Sequence, residues 1–292
     1  MPMSDCDGRA IQRRLLRGSL LCAVLLAAGY FLFVNTAWGH RIDEDAYFGR
    51  EVLSWKVEKL NLDILDLVNK SVLLTAAVVL LAIAAVRRCA LVGMIAVAAF
   101  GAAVVGAEVF KHVLPWRVLV PEDAALQPAF RIDTYPSGHA TIGTAFAMGL
   151  LLVSSPRCRM WLIVLGGCIS ASFAVGVLFA GWHRPSDSLG ALAWSGLCMT
   201  AAAAFAVRLR GRSAPAVADP GRAIPSSAGM ATLYATATWV LAAPAASRYP
   251  DTDLPFLLLA CLIIAGAFSL TAWYGWQLRA IDWCTGAAGD GG

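Results

Sequence analysis

Long apolar runs separated by short polar segments dominate this chain of 292 residues, which is 59% hydrophobic and only 14% charged. Soluble domains carry roughly 25% charged residues. A run of about 20 apolar residues is long enough to cross the hydrocarbon core of a bilayer as a helix. The pattern therefore predicts an all-α fold, a polytopic bundle of transmembrane helices.

Eight apolar runs are the predicted spans. Their approximate ranges are 19–38, 71–86, 91–110, 140–154, 160–180, 188–207, 230–246 and 255–276. Charge and Pro/Ala/Ser content then divide the chain. The divisions are a polar N-terminal segment (1–18), a six-span core (19–212), a linker (213–229) and two further C-terminal spans with a tail (230–292).

The first apolar run has two interpretations. It is either a retained span or a signal peptide, because Ala37-Trp38-Gly39 places small residues at a plausible cleavage site. Both interpretations place residue 40 outside the cytoplasm.

The polar stretch 40–70 contains one amphipathic pattern. Its apolar residues recur at alternating steps of four and three, which predicts a helix. They are Leu53, Val57, Leu60, Ile64 and Leu67. This helix either lies on the outer membrane surface or packs against the other helices.

The loop charges predict the orientation. With the N-terminus in the cytoplasm, the cytoplasmic segments hold thirteen arginines and five acids, and the outer segments hold ten basic residues and fourteen acids. Basic residues concentrate in cytoplasmic loops of membrane proteins. We therefore expect a multi-pass protein of a bacterial cell membrane with both termini inside, which puts 111–139 and 182–187 together on the extracytoplasmic face.

Other classes of partner are disfavoured. The chain lacks a basic block interleaved with aromatic residues, so nucleic-acid binding is not expected. None of the eight cysteines falls in a predicted outer loop, where disulfides form. Because no CxxC pair occurs either, we predict neither a disulfide framework nor a zinc site.

Ionisable residues gather where these two outer segments are expected to meet. Hydrolysis of a phosphate ester needs cations for the phosphate oxygens, a nucleophile and an acid for the leaving oxygen. Lys111 and Arg117 supply cations, and His139 is placed to donate a proton. His183 and Asp187 are four residues apart, so on a helical segment the carboxylate can hold one ring nitrogen and leave the other as a nucleophile.

The segment before the fourth span suits phosphate binding. Ser137 and Gly138 stand at the start of the predicted helix, where free backbone N–H groups attract anions and glycine permits close approach. Pro136 suits the non-helical residues that lead into it. The other two outer histidines, His40 and His112, are interpreted as polar surface residues.

These motifs resemble the type 2 phosphatidic acid phosphatase superfamily, the lipid phosphate phosphatases, whose active-site plan is shared with the vanadium haloperoxidases. The family pattern runs Lys-x6-Arg-Pro, then Pro-Ser-Gly-His, then Ser-Arg-x5-His-x3-Asp. The second motif is complete at Pro136–His139, and the His-x3-Asp part of the third at His183–Asp187. The resemblance covers roughly 110–197, on a core made by the first six spans.

The resemblance implies a role for each matching residue. His183 attacks phosphorus and becomes a phosphohistidine, Asp187 orients His183, and His139 protonates the leaving group and then activates water. The phosphate-binding residues would be Lys111, Arg117, Ser137 and Gly138. The resemblance implies no metal and no cofactor.

Two departures from the family pattern concern arginines. Five residues rather than six separate Lys111 from Arg117, and Val118 replaces the proline. The Ser-Arg pair of the third motif should fall at Gly176-Val177, so one phosphate-binding arginine is missing. Arg184, beside the expected nucleophile, or Arg131, near Pro136, is a possible replacement.

The sequence thus predicts a metal-independent lipid phosphatase acting on a phosphomonoester or pyrophosphate at the extracytoplasmic face. Its partners would be the membrane and a phosphorylated lipid, such as phosphatidic acid, phosphatidylglycerol phosphate or a polyprenyl pyrophosphate. The alternative is a catalytically weakened relative that binds or transports phospholipids without hydrolysis.

Overall fold

The computed structural model describes residues 5–66, 68–114, 134–210, 254–279 and 281–283, and within these ranges its regular elements are helices. The first half contains α1 (Asp5–Gly29) with a π-helical turn (Tyr30–Val34), α2 (Ala37–Phe48) with a 3-10 turn (Gly49–Val52), α3 (Trp55–Asp66), α4 (Lys70–Val86) and α5 (Ala90–Val113). The second half contains α6 (Gly138–Val153), α7 (Arg159–Phe179), α8 (Pro185–Arg210) and α9 (Leu254–Gln277). The predicted span 230–246, Leu67, Arg117 and Arg131 lie outside the described residues.

Five helices in the described ranges are long and apolar enough to cross a membrane, and α3 with α4 makes a sixth if that bent pair counts as one span. The five are α1 with its π-helical turn, α5, α7, α8 and α9. Large apolar side chains cover their outward faces; Leu20, for example, is 66% exposed and Trp161 79% exposed. Water-facing surfaces rarely carry contiguous patches of this kind. The chain therefore has the features of a multi-pass membrane protein.

Helix α6 lies at the centre of the bundle. Thirteen of its 16 residues are buried, and it contacts α4, α5, α7, α8 and α9. A helix that is apolar all round needs neighbours on every side. Helix α1 packs chiefly on α8, and α9 packs chiefly on α7. We call the end of the bundle where α6 and α8 begin the motif end, and the other end the far end.

The first helix differs from its predicted bounds at both ends. Helix α1 begins at Asp5, within the segment predicted to be a polar N-terminal extension, and the apolar run breaks at Asn35. The Thr36 side chain accepts a hydrogen bond from the Gly39 N–H at 3.0 Å. Threonine at this N-cap position starts a new helix, so 37–38 belong to α2 rather than to the first span.

Helix α3 corresponds to the predicted amphipathic helix. Leu65 is buried and packs against α7, whereas Leu60 is 58% exposed and Ile64 45% exposed. The buried contact is thus made by a residue outside the predicted stripe, whereas Leu60 and Ile64 of the stripe itself face outward.

At the far end, a buried arginine ties α7 to the residues that follow α9. Arg159 has no exposed surface. Its guanidinium donates to the carbonyl of Leu278, to that of Ile281 at 2.7 Å and to that of Ser154 at 3.4 Å. The sequence places Arg159 with Arg157 in a basic loop, but the structure buries it among carbonyls near helix ends, where the helix supplies too few N–H donors.

We expect Arg159→Leu to destabilise the fold by about 3 kcal/mol, since it removes the side-chain donor from the carbonyls of Ile281 and Ser154 and one of the two donors from that of Leu278. Thermal unfolding of the full-length protein in detergent would measure the loss. Arg157→Leu is the matched control, because Arg157 is an exposed arginine two residues away. Equal effects of the two substitutions would contradict the structural role of Arg159.

Candidate active site

A glycine ends α7 and sets the direction of the segment that carries His183. Gly181 has a φ of +70°, which favours glycine. Its N–H bonds to the Leu178 carbonyl at 3.0 Å, and the Trp182 N–H bonds to the Val177 carbonyl at 2.9 Å. This is the Schellman pattern of a helix C-terminus. The His183 N–H also reaches the Val177 carbonyl, at 3.2 Å, so His183 is fixed close to the end of α7.

The start of α8 places Asp187 beside that histidine. Pro185 occupies the first helical position, where a missing N–H costs nothing. Asp187, in the first turn, accepts a hydrogen bond through Oδ2 from the Arg184 N–H at 3.1 Å. A carboxylate two residues after the first helical position commonly reaches back in this way. The local sequence Arg184–Asp187 thus explains the position of the carboxylate.

Asp187 also holds the His183 ring. Oδ2 of Asp187 lies 3.1 Å from Nδ1 of His183 and accepts a hydrogen bond from the Thr134 hydroxyl at 2.5 Å. A carboxylate that accepts from Nδ1 keeps the ring proton on Nδ1. The Nε2 lone pair of the neutral ring is then available as a nucleophile.

The second motif is joined directly to the third. The Ser137 N–H donates to the backbone carbonyl of Asp187 at 3.0 Å, and the Ser137 hydroxyl caps α6 by accepting from the Ala140 N–H at 3.4 Å. The Ser137 N–H is therefore not one of the free amides expected for phosphate binding. The amides of Gly138 and His139, the first two residues of α6, have no acceptor within the helix and keep that capacity.

A lysine from α5 lies above the start of α6. Lys111 Nζ is 2.8 Å from Oε1 of Glu108, one turn earlier in the same helix. A Cβ atom on Gly138 would lie 2.8 Å from that carboxylate oxygen and 3.6 Å from Nζ. A side chain at position 138 would displace the Glu108 carboxylate, and the lysine cation lies close to the first residue of α6.

The His139 side chain faces the same region as His183. Its ring contacts Trp182 edge-on, with centroids 5.1 Å apart. Burial, and after it the neighbouring charges of His183 and Lys111, lower the pKa of His139 below 6.5, while Glu108 acts in the opposite direction. The structure thus brings His139, His183, Asp187 and Lys111 together at the motif end.

Helix α2 contributes residues that sequence reasoning missed. Glu44 accepts a hydrogen bond from Nη2 of Arg184 at 3.1 Å and lies 3.2 Å from Nε2 of His40. His40 is 3% exposed, so its interpretation as a polar surface residue is wrong. His40 and Glu44 are four residues apart, the same spacing as His183 and Asp187, and that spacing was the available signal.

Burial alone would raise the pKa of Glu44, but the hydrogen bond and charge of His40, together with Arg184, lower the pKa below 4.5. Glu44 therefore supplies a negative charge to the Arg184 guanidinium. Because Arg184 is only 8% exposed, this pairing compensates the buried charge of the arginine that follows His183 in the chain.

Asp43, a second acid on α2, forms hydrogen bonds with the first turn of α8. Asp43 accepts from the Ser186 N–H at 2.8 Å and from the Ser186 hydroxyl at 2.5 Å. Burial, and then the charge of Asp187, raise the pKa of Asp43 to about 7, although the Ser186 hydrogen bonds oppose the rise. Helix α2 is thus held to the histidine-bearing segment through two adjacent acids.

The position at which the third motif of lipid phosphate phosphatases would carry an arginine lies inside a helix. Gly176 and Val177 lie in the last turns of α7 and are buried. A Cβ atom on Gly176 would lie 3.1 Å from the side-chain oxygen of Asn61 in α3. Of the two possible replacements, Arg184 is at the site, and Arg131 falls outside the described residues.

Comparisons with protein-family models, with curated proteins and with solved structures found no match for this chain. The described residues include no group of three or more His, Cys, Asp or Glu side chains that could hold a metal ion. The arrangement of the side chains themselves is therefore the basis for the function proposed below.

Asp43 makes the stability of the fold depend on pH. Its folded pKa of about 7 exceeds the unfolded value of 3.8, so the folded state binds this proton more tightly. The resulting stabilisation is complete below about pH 4 and is lost as the pH rises towards 7. We expect Asp43→Asn to flatten the dependence of the unfolding temperature on pH between these limits.

Asp45→Asn is the matched control, because Asp45 is an exposed acid on the same helix. Thermal unfolding in detergent at about pH 4 and pH 8 would compare the three proteins. An unchanged pH dependence in Asp43→Asn would show that Asp43 does not titrate in this range.

Proposed function

We propose that this protein is an integral-membrane lipid phosphatase that hydrolyses a phosphomonoester or pyrophosphate on a lipid through a phosphohistidine. The observation that carries the proposal is the meeting of His183, oriented by Asp187, with His139 and Lys111 at one end of a bundle of apolar helices. A nucleophile, its orienting acid, a proton donor and a cation are the parts that phosphoryl transfer needs. The resemblance of 136–139 and 183–187 to lipid phosphate phosphatases supports the same reaction.

In the first step, Nε2 of His183 attacks phosphorus and the bond from phosphorus to the lipid oxygen breaks. Protonated His139 donates its proton to that leaving oxygen. The Nδ1 proton of His183 stays in its hydrogen bond to Asp187, whose negative charge stabilises the ring as it becomes positive.

In the second step, neutral His139 takes a proton from water, and the oxygen of that water attacks phosphorus. The bond between phosphorus and Nε2 then breaks. Inorganic phosphate leaves, and both histidines return to their starting protonation states. The lowered pKa of His139 favours this second role, because its neutral form is readily available near neutral pH.

The phosphate oxygens would be neutralised by Lys111 and by the amides of Gly138 and His139 at the start of α6. Arg184, positioned by Glu44, is the proposed replacement for the missing third-motif arginine. Arg117 remains a proposed ligand from the sequence pattern alone. The acidic outer segments and basic cytoplasmic segments favour an active site on the extracytoplasmic side.

Phosphate release from a panel of lipids would test the proposal. The purified full-length protein should release phosphate from phosphatidic acid, phosphatidylglycerol phosphate or a polyprenyl pyrophosphate. Since His183 forms the intermediate, His183→Ala should lose activity by about 10⁴-fold or more. It should also lose an acid-labile phosphoryl adduct that the wild type forms. Arg157→Leu, at the far end, is the control for handling in detergent.

The competing function is binding or transport of phospholipids without hydrolysis, which the absence of an arginine at Gly176-Val177 favours. Tight binding of lipid phosphates by the wild type, with no phosphate release and no adduct, would overturn the phosphatase proposal. Release that persists in His183→Ala would overturn the phosphohistidine.

The charges around His139 predict a distinctive pH profile. Because its acid form protonates the leaving group, kcat/KM should fall as the pH rises through the pKa of His139. Lys111 lowers that pKa and Glu108 raises it. The alkaline limb should therefore move to higher pH in Lys111→Gln and to lower pH in Glu108→Gln, when each profile is scaled to its own maximum. Shifts in one common direction would contradict the role of His139 as the acid.

A further inference from the structure

An apolar cavity of about 620 Å³ lies between α1, α8 and α9. This volume is within the range of small-molecule sites in proteins. Its walls include Leu21 to Phe33 on α1 and its π-helical turn, and Leu262 to Trp273 on α9, with Leu189 to Ala193 of α8 as its floor. At 1.5 Å per residue, the wall on α1 is about 18 Å long.

One end of the cavity is lined by residues that directly precede motif residues in the chain. Tyr135 and Ser186 line its motif end. Ser186 immediately precedes Asp187, and Tyr135 immediately precedes the Pro136–His139 motif. The Tyr135 hydroxyl donates to the Leu26 carbonyl at 2.7 Å, which joins α1 to that motif. The remaining lining is almost entirely aliphatic or aromatic, so polarity falls away from the phosphate site along the cavity.

The rims of the cavity are exposed. Leu25 on α1 is 55% exposed, and Leu262 on α9 is 42% exposed. Both helices are long and apolar enough to cross a membrane, so the rims face the hydrocarbon core when the bundle is embedded. A lipid chain in that core can then enter from the side. Half of a bilayer core is about 15 Å thick, and the cavity has a comparable length.

We propose that this cavity holds one hydrocarbon tail of the phosphorylated lipid, with the phosphate at the motif end and the tail along α1, α8 and α9. The inference rests on the proposed function for the identity of the headgroup. In this arrangement α9, which follows the predicted six-span core, forms one wall of the cavity and so takes part in substrate binding. The continuity from Ser186 and Tyr135 to an apolar cavity the length of one leaflet favours a tail over a protein segment.

Photo-crosslinking tests this tail site without requiring turnover. The full-length His183→Ala protein in detergent would be mixed with a long-chain phosphatidic acid that carries a diazirine near the middle of one acyl chain. After irradiation, adducts should map to the cavity faces of α1, α8 and α9. Excess unlabelled phosphatidic acid should prevent them, and diacylglycerol, which lacks the phosphate, should not.

Two obstructed variants and two matched controls sharpen the test. Leu25→Trp and Leu262→Trp place a larger side chain in the cavity. Val24→Trp and Leu257→Trp are the controls, since Val24 is 55% exposed and Leu257 44% exposed but neither lines the cavity. In the His183→Ala background, the obstructed variants should lose the adducts and the controls should keep them.

In the otherwise wild-type protein, the obstructed variants should lower kcat/KM for long-chain phosphatidic acid by about tenfold or more. Their kcat/KM for para-nitrophenyl phosphate, which has no tail, should not change. The thermal unfolding midpoint of each variant would show that it is folded.

The outcomes separate this inference from the proposed function. If adducts form only in the cavity of His183→Ala and the wild type releases no phosphate, the tail site is supported and the phosphatase proposal is overturned. Adducts spread over the whole apolar surface, or unaffected by Leu25→Trp and Leu262→Trp, would overturn the tail site even if the wild type is active. Equal competition by diacylglycerol would also overturn it, because the phosphate would then not fix the lipid.

Discussion

The carboxylate of Asp187 joins segments that are far apart in the chain. It is only 2% exposed, and a buried charge without hydrogen bonds costs several kcal/mol. Its Oδ2 receives donors from Thr134, His183 and the Arg184 N–H, and its backbone carbonyl receives the Ser137 N–H. Satisfying this one residue therefore fixes the start of α6 relative to the start of α8, and with it the relative position of the two motifs.

Buried charges have different roles at the two ends of the bundle. At the far end, Arg159 donates to backbone carbonyls and closes the fold around α9. At the motif end, Glu44 holds Arg184 while Asp43 holds Ser186. Burying Asp43 close to a second carboxylate, Asp187, is costly, and the raised pKa of Asp43 reflects that cost. Closely spaced buried acids and histidines are typical of functional sites rather than of interactions that only stabilise the fold.

Local features of the chain were predictable from sequence. Length and apolarity are properties of each segment alone, so the described helices fall close to the predicted runs, as α5, α7 and α9 do. The hydrogen bond between His183 and Asp187 follows from a spacing of four residues and needs no distant partner. The break at Thr36 was missed because a capping side chain interrupts an otherwise continuous apolar run.

The sequence by itself determined that the part of the chain described by the structure is helical, with several membrane-length helices, and it placed a histidine one helical turn from its carboxylate. Only the tertiary structure decided which distant charges lie beside that pair. Glu44 and Asp43 lie in a polar stretch whose sequence is typical of a solvent-exposed segment, and Arg159 lies in a predicted basic loop. All three side chains are nevertheless buried. The physical reason is that a buried charge needs hydrogen-bonding partners. Arg184 for Glu44, Ser186 for Asp43 and the carbonyls after α9 for Arg159 all come from distant segments, which no local pattern in the chain encodes.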